Sequence, residues 1–386
     1  MQKSITTIDK TVIMTYKYKR KYHRSLKIGG LQMKEIKIGK DILSKNGPLY
    51  FIADIASNHS GDIHRAFKLI ELAKESGAHA AKFQNFQAKK IVSSKVPSQL
   101  LRTSHQTNWK KTMFETYQDA SISLDWTAKL KKKCDEVGIE YFTTPYDFES
   151  VDHVDPYVNV YKIGSGDITW PEIFEYIAKK GKPILFGTGA STMEDVERAM
   201  QTLHRHTEEI VLMQCNTNYT ANAENFKHIN LNVLKTYAKK YPNVILGLSD
   251  HTFGHATILG SIALGATVFE KHFTDDINHG DPDSKFSMTP KSWREMVDRS
   301  NELFNALGDG IKVVEENEKE SIHLQQRAIR AKIDLPALTV LSAEMLECLR
   351  PILDKELPPY RIKDIIGKKL TNAVKAGEAI TLEIIA

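Results

Sequence analysis

From Leu49 onward, short apolar runs rich in β-branched and aromatic residues alternate with longer stretches of helical period. The runs 50–56, 78–83, 140–144, 158–163, 183–187, 210–215, 244–248 and 267–273 read as strands. Between them, 64–75, 124–137, 193–204 and 231–240 are amphipathic. In the first of these, Ala66, Phe67, Leu69, Ile70 and Ala73 form one stripe, with Lys68, Glu71, Lys74 and Glu75 outside it. Gly77, Gly138 and Gly181 each follow a helical pattern and precede a strand, so each is predicted to end its helix in the left-handed conformation. Eight such units in about 250 residues predict a (β/α)8 barrel. A doubly wound open sheet is the alternative, but no strand is followed by the glycine fingerprint of a dinucleotide fold.

Two regions break the rhythm. The stretch 85–119 is longer than an ordinary strand-to-helix loop, and in a barrel it would stand on the catalytic face as a lid or substrate wall. After Leu307 a charged, helix-like connector leads into a tail with Pro351, Pro358, Pro359, Gly367 and Gly377, which reads as a small β-rich domain. The expected division is a basic extension at 1–32, a barrel at 33–310, a connector at 311–326 and a C-terminal domain at 327–386.

The composition is globular: 41% of the 386 residues are hydrophobic and 26% charged, which excludes wholesale disorder. The longest uncharged apolar stretch, 256–269, is too short to span a bilayer. The net charge of +5 suggests a nucleic-acid or membrane partner until its distribution is read. Residues 1–32 alone carry eight Lys/Arg against one Asp, or +7, so residues 33–386 sum to −2. That segment has no apolar core of a secretion signal, and a well-patterned chain begins at Met33. It reads as an extension or as residues preceding an internal start, and neither a nucleic acid nor a membrane is expected as partner. Cys134, Cys215 and Cys348 lie far apart without metal spacing, which fits reduced thiols in a cytoplasmic protein.

The candidate chemistry sits at the strand ends. Nearly every predicted strand finishes in polar residues: Asp54, Asn58 and His59; Lys82, Gln84 and Asn85; Thr143 and Thr144; Lys162, Ser165 and Asp167; Thr188; Asn216 to Asn218; Ser249 to His251; Glu270 to His272. Barrel enzymes build their sites there. Lys82 and Lys162 interrupt otherwise apolar patterns, and an inward ammonium needs an anion. That anion is either a neighbouring carboxylate or, with Thr144, Ser165 and Ser249, a bound phosphate and carboxylate. Either lysine could instead form a Schiff base. His251 and His272 end adjacent strands, about 5 Å apart in a barrel, so both rings can reach one ion; taken singly, each is a core or surface histidine. Asp54, Glu270 and Asp283 are the acid/base candidates, with an ion pair to Lys271 or Lys82 as the plainer reading of Glu270.

These residues resemble the sialic acid synthase family, which includes N-acetylneuraminate, legionaminate and pseudaminate synthases. The resemblance rests on Ile52-Ala-Asp-Ile-Ala-Ser-Asn-His-Ser-Gly61, Ala81-Lys-Phe-Gln84, Phe142-Thr-Thr-Pro145, Tyr161-Lys-Ile-Gly-Ser-Gly166, Gly187-Thr-Gly189, Gln214-Cys-Asn-Thr-Asn-Tyr219, Gly247-Leu-Ser-Asp-His-Thr252 and Glu270-Lys-His-Phe273. The tail, through Ile366-Gly-Lys-Lys and Gly377-Glu-Ala-Ile-Thr, resembles the antifreeze-like SAF domain of the same family.

The resemblance implies condensation of phosphoenolpyruvate with an N-acylated hexosamine (N-acetylmannosamine or a diamino-dideoxyhexose), giving a nine-carbon α-keto acid sugar and phosphate. It implies a divalent metal, Mn²⁺ above others, at His251 and His272. Lys82, Thr144, Lys162, Ser165, Asn218 and Ser249 match phosphoenolpyruvate positions, and Gln84 and Tyr219 match sugar positions. It further implies a domain-swapped homodimer in which Arg327, or failing that Arg330, reaches the sugar of the other subunit. Two other readings stay open: a Schiff-base aldolase using Lys82 or Lys162, and a non-catalytic sugar-binding homologue.

Several positions depart from the family pattern. Asp54 replaces a Glu, Thr220 a Pro, Asp281 a Gly and Ser284 a His, and in the tail Lys332-Ile-Asp-Leu-Pro-Ala337 replaces a more polar, Gly-containing turn. Gly187 replaces a phosphate-binding Ser, a contact that is then lost or taken by Thr188.

Overall fold

The computed structural model describes residues 35–95 and 111–386, so the basic extension and the middle of the long loop lie outside the described residues. It opens with a hairpin of β1 (Glu35–Ile38) and β2 (Asp41–Ser44), paired antiparallel. Ile36, Ile38 and Leu43 of the hairpin are buried in the main core. Its other contacts reach the starts of barrel strands: Lys40 Nζ donates to the Gly138 carbonyl, Lys45 Nζ to that of Pro242, and Thr267 Oγ1 to that of Ser44. The hairpin therefore closes the N-terminal end of the barrel.

Eight strands follow: β3 (Tyr50–Asp54), β4 (Ala80–Asn85), β5 (Glu140–Pro145), β6 (Tyr161–Ile163), β7 (Ile184–Gly187), β8 (Ile210–Cys215), β9 (Ile245–Asp250) and β10 (Val268–His272). All paired neighbours are parallel, and β10 pairs with β3. The sheet order leaves β5 and β6 at its ends, and these two lie against each other, closing the barrel. The (β/α)8 expectation holds, each predicted strand appearing within a few residues of its expected bounds.

The helices form for the reasons the pattern gave. Ile63–Glu75 is capped by the Asp62 carboxylate, which accepts from His64 N, and it buries Ala66, Leu69, Ile70 and Ala73. Met193–His204 and Pro290–Ala306 begin with capping boxes at Thr192 and Thr289. Gly77, Gly138 and Gly181 have φ of +93°, +76° and +71°. Phe51, Phe83, Phe142, Phe186 and Phe269 are buried in one continuous core.

The chain divides into two compact units after Leu307. The second unit has its own core of Ile329, Leu335, Leu341, Ile365, Leu370 and Ile380. Its regular sheet is short: β11 (Ala328–Ala331) pairs antiparallel with β12 (Leu346–Leu349), and isolated bridges such as Leu335–Val374 and Arg330–Ala379 continue the β character. The charged connector contains the helix Lys319–Gln325. All three cysteines are free, and among the described residues no helix is long and apolar enough to cross a membrane.

Candidate active site

A strand's two-residue period sends alternate side chains into the barrel and out toward the helices. This sorts the polar strand ends into two sets. Asn85 and Thr143 face outward: Thr143 Oγ1 donates to Asn85 Oδ1, and Asn85 Nδ2 donates to Thr127 on the helix Trp126–Val137. Asp250 and Lys271 also face outward. Lys271 Nζ meets Asp250 Oδ2 at 2.5 Å and the Thr252 carbonyl at 2.5 Å, and Thr257 Oγ1 also donates to Asp250. Lys271 therefore balances Asp250, not Glu270, and this pair ties the barrel to its helix layer.

The inward set forms one charged cluster. Lys82 Nζ lies 2.8 Å from Asp54 Oδ2 and 3.9 Å from Glu270 Oε1. Lys162 Nζ lies 3.5 Å from the same Glu270 oxygen, and Ser249 Oγ donates to it at 3.1 Å. All four charged groups are almost fully buried. Burial opposes the charge on Lys82, but Asp54 and Glu270 outweigh it and hold its pKa above the ordinary lysine value. Burial likewise opposes the charge on Glu270, and Lys162 and Lys82 reverse that, bringing it down to about 2. Both groups are thus held charged. Gln84 Nε2 reaches Asp54 Oδ2 at 3.4 Å, and Thr144, its partner in register on β5, is buried beside it.

The two histidines come together above this cluster, with ring centroids 5.3 Å apart. His251 Nδ1 lies 2.8 Å from the Asn216 carbonyl, so the neutral ring carries its proton there and leaves Nε2 with a free lone pair. Burial, reinforced by the His272 ring, lowers the His251 pKa to about 3, which keeps it neutral. His272 faces Asp54 Oδ2 with Nε2 at 3.6 Å and Asp283 Oδ2 with Nδ1 at 3.9 Å. Three buried polar atoms of the cluster have no hydrogen-bond partner: His272 Nδ1, Asp54 Oδ1 and Glu270 Oε2. The neutral His251 ring and the His272 ring, beside unspent carboxylate oxygens, fit a borderline divalent cation, with water or substrate completing its shell. No group of three or more His, Cys, Asp or Glu placed to hold a metal occurs among the described residues.

Aromatic residues frame the histidines. The Tyr219 ring lies 4.3 Å from His251, and Phe286 lies 4.9 Å from His272 and 5.3 Å from Tyr219. Burial raises the Tyr219 phenol well above its usual value, so it stays protonated. Asp283 is fixed by Ser57, whose Oγ donates at 2.6 Å and whose backbone N–H donates at 3.2 Å. Ser284, in place of the family's His, is fully buried and donates to Asn58 Oδ1 at 3.3 Å, so it anchors its loop. Ser57 lies within the motif at 52–61 but was assigned no role, and Phe286 was not singled out, because each belongs to a loop without period.

The phosphate-side expectations divide. Ser165 Oγ accepts from Gly189 N at 2.9 Å. A Cβ at Gly187 would come within 2.9 Å of Ser165 Oγ and 3.3 Å of Lys162 Nζ. The bare backbone at Gly187 is therefore what leaves Ser165 and Lys162 room beside each other. Thr188 does not take over the missing serine's contact, since its hydroxyl donates to the Met213 carbonyl and accepts from Tyr237. Asn218 is exposed, and its amide oxygen accepts from Thr220 N, Thr220 Oγ1 and Asn225 Nδ2, which spends it on its own loop. The neighbouring Thr217 instead approaches Gly189.

In the second unit, Arg327 is exposed and donates to the Cys348 carbonyl. Arg330 is held by the Pro351 carbonyl and Glu356.

Comparison with known proteins agrees with the fold. Residues 69–312 match the NeuB family, and residues 326–385 match the SAF domain. The chain is 32% identical over 336 residues to an N,N'-diacetyllegionaminic acid synthase of Campylobacter jejuni, covering 85% of this chain and 98% of that one. It is 30% identical to the human N-acetylneuraminate-9-phosphate synthase, covering 88% and 93%. Among solved structures, the N-acetylneuraminic acid synthetase of Leptospira borgpetersenii, in complex with citrate, superposes with a TM-score of 0.67 at 25% identity, covering 75% of this chain and 95% of that one.

Proposed function

The chain belongs to the NeuB family, and from that premise we propose that it condenses phosphoenolpyruvate with the open-chain aldehyde of an N-acylated hexosamine, releasing phosphate and a sialic-acid-like α-keto acid sugar. The observation that carries this reading is the pair Lys82 and Lys162, brought from different strands onto one oxygen of Glu270 beside the paired rings of His251 and His272. Two fixed ammonium groups suit a small donor bearing a carboxylate and a phosphate. Ser165, Ser249 and Thr144 supply hydroxyls around them. Of the family-matched donor residues, Asn218 contributes through the shape of its loop.

His251 and His272 would hold the divalent cation, Mn²⁺ by family preference, and when bound it would polarise the sugar aldehyde as a Lewis acid. The chain's own groups do the rest. Gln84 and Tyr219 orient the sugar, and the aromatic frame of Tyr219 and Phe286 excludes bulk water. The donor's methylene carbon attacks the aldehyde carbon, and a proton must reach the new alkoxide. Water then adds to C2, and its proton must leave before phosphate departs. Asp54 and Asp283, on opposite sides of the His272 ring, would carry those protons. Glu270, ionised between two lysines, serves as their counter-charge and not as an acid.

The domain division at 33–310, 311–326 and 327–386 and a cytoplasmic homodimer complete the proposal, with the exposed Arg327 of one subunit meeting the other's sugar. A Schiff-base aldolase is less well supported, because a lysine held protonated, as Lys82 is, makes a poor nucleophile.

The test is phosphate release from phosphoenolpyruvate with a panel of N-acetylmannosamine and diacetamido sugars. Activity abolished by EDTA and restored by Mn²⁺ supports the proposal. A borohydride-trapped pyruvate adduct on Lys82 or Lys162, without phosphate release, would replace it with the aldolase.

A further inference from the structure

Two loops meet at the C-terminal ends of adjacent strands, 55–62 after β3 and 273–289 after β10, and the second carries Asp283. Besides the Ser57–Asp283 pair, they are joined by the fully buried Asn58, whose Nδ2 donates to the Phe273 carbonyl at 3.0 Å and to Ser287 Oγ at 2.9 Å. Ser287 Oγ in turn donates to the Asp283 carbonyl at 2.7 Å. Both the carboxylate and the main chain of Asp283 thus hang on the β3 loop.

A second set of bonds centres on Asp281. Ser60 Oγ donates to its Oδ1 at 2.5 Å, and its Oδ2 faces His279 Nδ1 at 3.0 Å, Ser284 Oγ at 3.4 Å and Arg65 Nη2 at 3.8 Å. Its side chain is 9% exposed. Arg65 stands in the first turn of Ile63–Glu75, where the helix dipole disfavours a cation. Both loops engage it there: Nε donates to the Asn58 carbonyl at 2.7 Å, and Nη2 meets Asp275 Oδ1 at 2.7 Å. Ala56 and Ser60 have φ of +45° and +54°, costly for residues with a Cβ. The β3 loop therefore keeps a strained shape that its bonds to the β10 loop offset.

We propose that Asp281, with Ser60 and Arg65, is a positioning latch that fixes the β10 loop against the β3 loop and so keeps the Asp283 carboxylate beside His272. The inference rests on the condensation reading above, in which Asp283 carries a proton. Asp281 acts through Asp283, two residues along the chain. Because Asp281 departs from the family pattern, the motifs that carry the resemblance do not contain it.

The experiment has a kinetic arm and an exchange arm, both on the full chain with Mn²⁺. A displacement of Asp283 by about 1 Å should lower kcat in Asp281→Ala by roughly thirtyfold and leave KM for phosphoenolpyruvate within about twofold, because the lysine cluster does not depend on this loop. Asp281→Asn, which keeps an oxygen for Ser60, should recover most of the rate. In an Asp283→Asn background, Asp281→Ala should cost less than about twofold more, since the residue it positions is already disabled. Where that background turns over too slowly to follow, the cycle is read on Ser57→Ala, which releases the same carboxylate, and the combined loss should fall short of the product of the single losses. Losses that simply multiply, or a fall in kcat matched by a rise in KM for the donor, assign Asp281 a general structural role and overturn the proposal.

In hydrogen exchange, Asp281→Ala should speed the amides of 57–61 and 283–288 together, by about tenfold, and leave those of Pro290–Ala306 unchanged. Unchanged exchange in the two loops overturns the latch. Absence of phosphate release by the wild type overturns the condensation reading and the catalytic meaning of the latch, while the exchange arm still decides whether the latch exists.

Discussion

Lys162 reaches Glu270 across the barrel, 3.5 Å from Oε1, although their strands β6 and β10 are not neighbours in the sheet. Lys82 approaches the same oxygen from β4. The protein therefore supplies the lysines with an internal anion, and a substrate anion must compete with it. Glu270→Gln should bind inorganic phosphate more tightly than the wild type, by roughly tenfold, while condensation falls by at least about a hundredfold. Calorimetric titration with phosphate, beside steady-state rates, checks both. Weaker phosphate binding in the variant would show that Glu270 orders the lysines and does not occupy them.

Metal retention should depend on both imidazoles. His251→Ala and His272→Ala should each lose at least about a hundredfold in Mn²⁺ affinity, because two side chains cannot be reduced to one without losing the chelate. Electron paramagnetic resonance of free Mn²⁺ reads this independently of turnover. Retention of wild-type affinity by either variant would remove that histidine from the ligand set.

Restoring the family's side chain at Gly187 should harm this enzyme. The new Cβ would fall 2.9 Å from Ser165 Oγ, which is already engaged with Gly189 N. Gly187→Ala and Gly187→Ser are expected to raise KM for phosphoenolpyruvate by about tenfold, with thermal stability lowered by about 1–2 kcal/mol. A Gly187→Ser variant with improved KM would mean that Ser165 can rotate aside at no cost.

Lys271 should matter to folding. Lys271→Met leaves Asp250 buried without its cation, and a loss of about 3–5 kcal/mol is expected in denaturant unfolding. Adding Asp250→Val should recover a substantial part of that loss, because both charges then leave together. A single variant as stable as the wild type would place Asp250 in contact with water.

Asp167 should leave a signature in stability against pH. Burial raises its carboxyl to about 6 in the folded chain against 3.8 for a free one, despite the opposing charge of Lys162. The folded state thus holds this proton more tightly than the unfolded state does. The group's contribution is best below about pH 4 and is lost as pH rises through about 6. Asp167→Asn should match the wild type near pH 4 and exceed it above pH 7, by on the order of 2–3 kcal/mol at most. An equal difference at both pH values would show that the effect is packing and not charge.

Much of this arrangement was legible in the chain because a barrel strand's register is set by local pattern. The eight strands, the three helix-ending glycines and the inward places of Lys82, Lys162 and Glu270 all follow from alternation within short segments. The same alternation separates Asp250 and Lys271 from Ser249 and Glu270, and neglecting it grouped the four as one cluster. The functions of Thr188 and Asn218 were hidden for a different reason. A hydroxyl or an amide serves the backbone as readily as a ligand, and its choice depends on partners such as Tyr237 and Asn225, distant or unpatterned in sequence. The hairpin at 35–44 went unread as an element because four-residue strands give too few positions for a period to show.

That hairpin has a kinetic consequence. With Ile36, Ile38 and Leu43 covering one end of the barrel, the proposed donor, sugar, phosphate and product would all pass through the mouth at the C-terminal ends of the strands. The groups that would grip the donor stand deepest, at 2% and 3% exposure for Lys82 and Lys162, beneath the histidines and aromatic rings that would hold the sugar. A sugar that arrived first would block the donor's way down. Depth alone thus imposes a queue, donor before sugar, and sugar without donor should act as a dead-end inhibitor at high concentration.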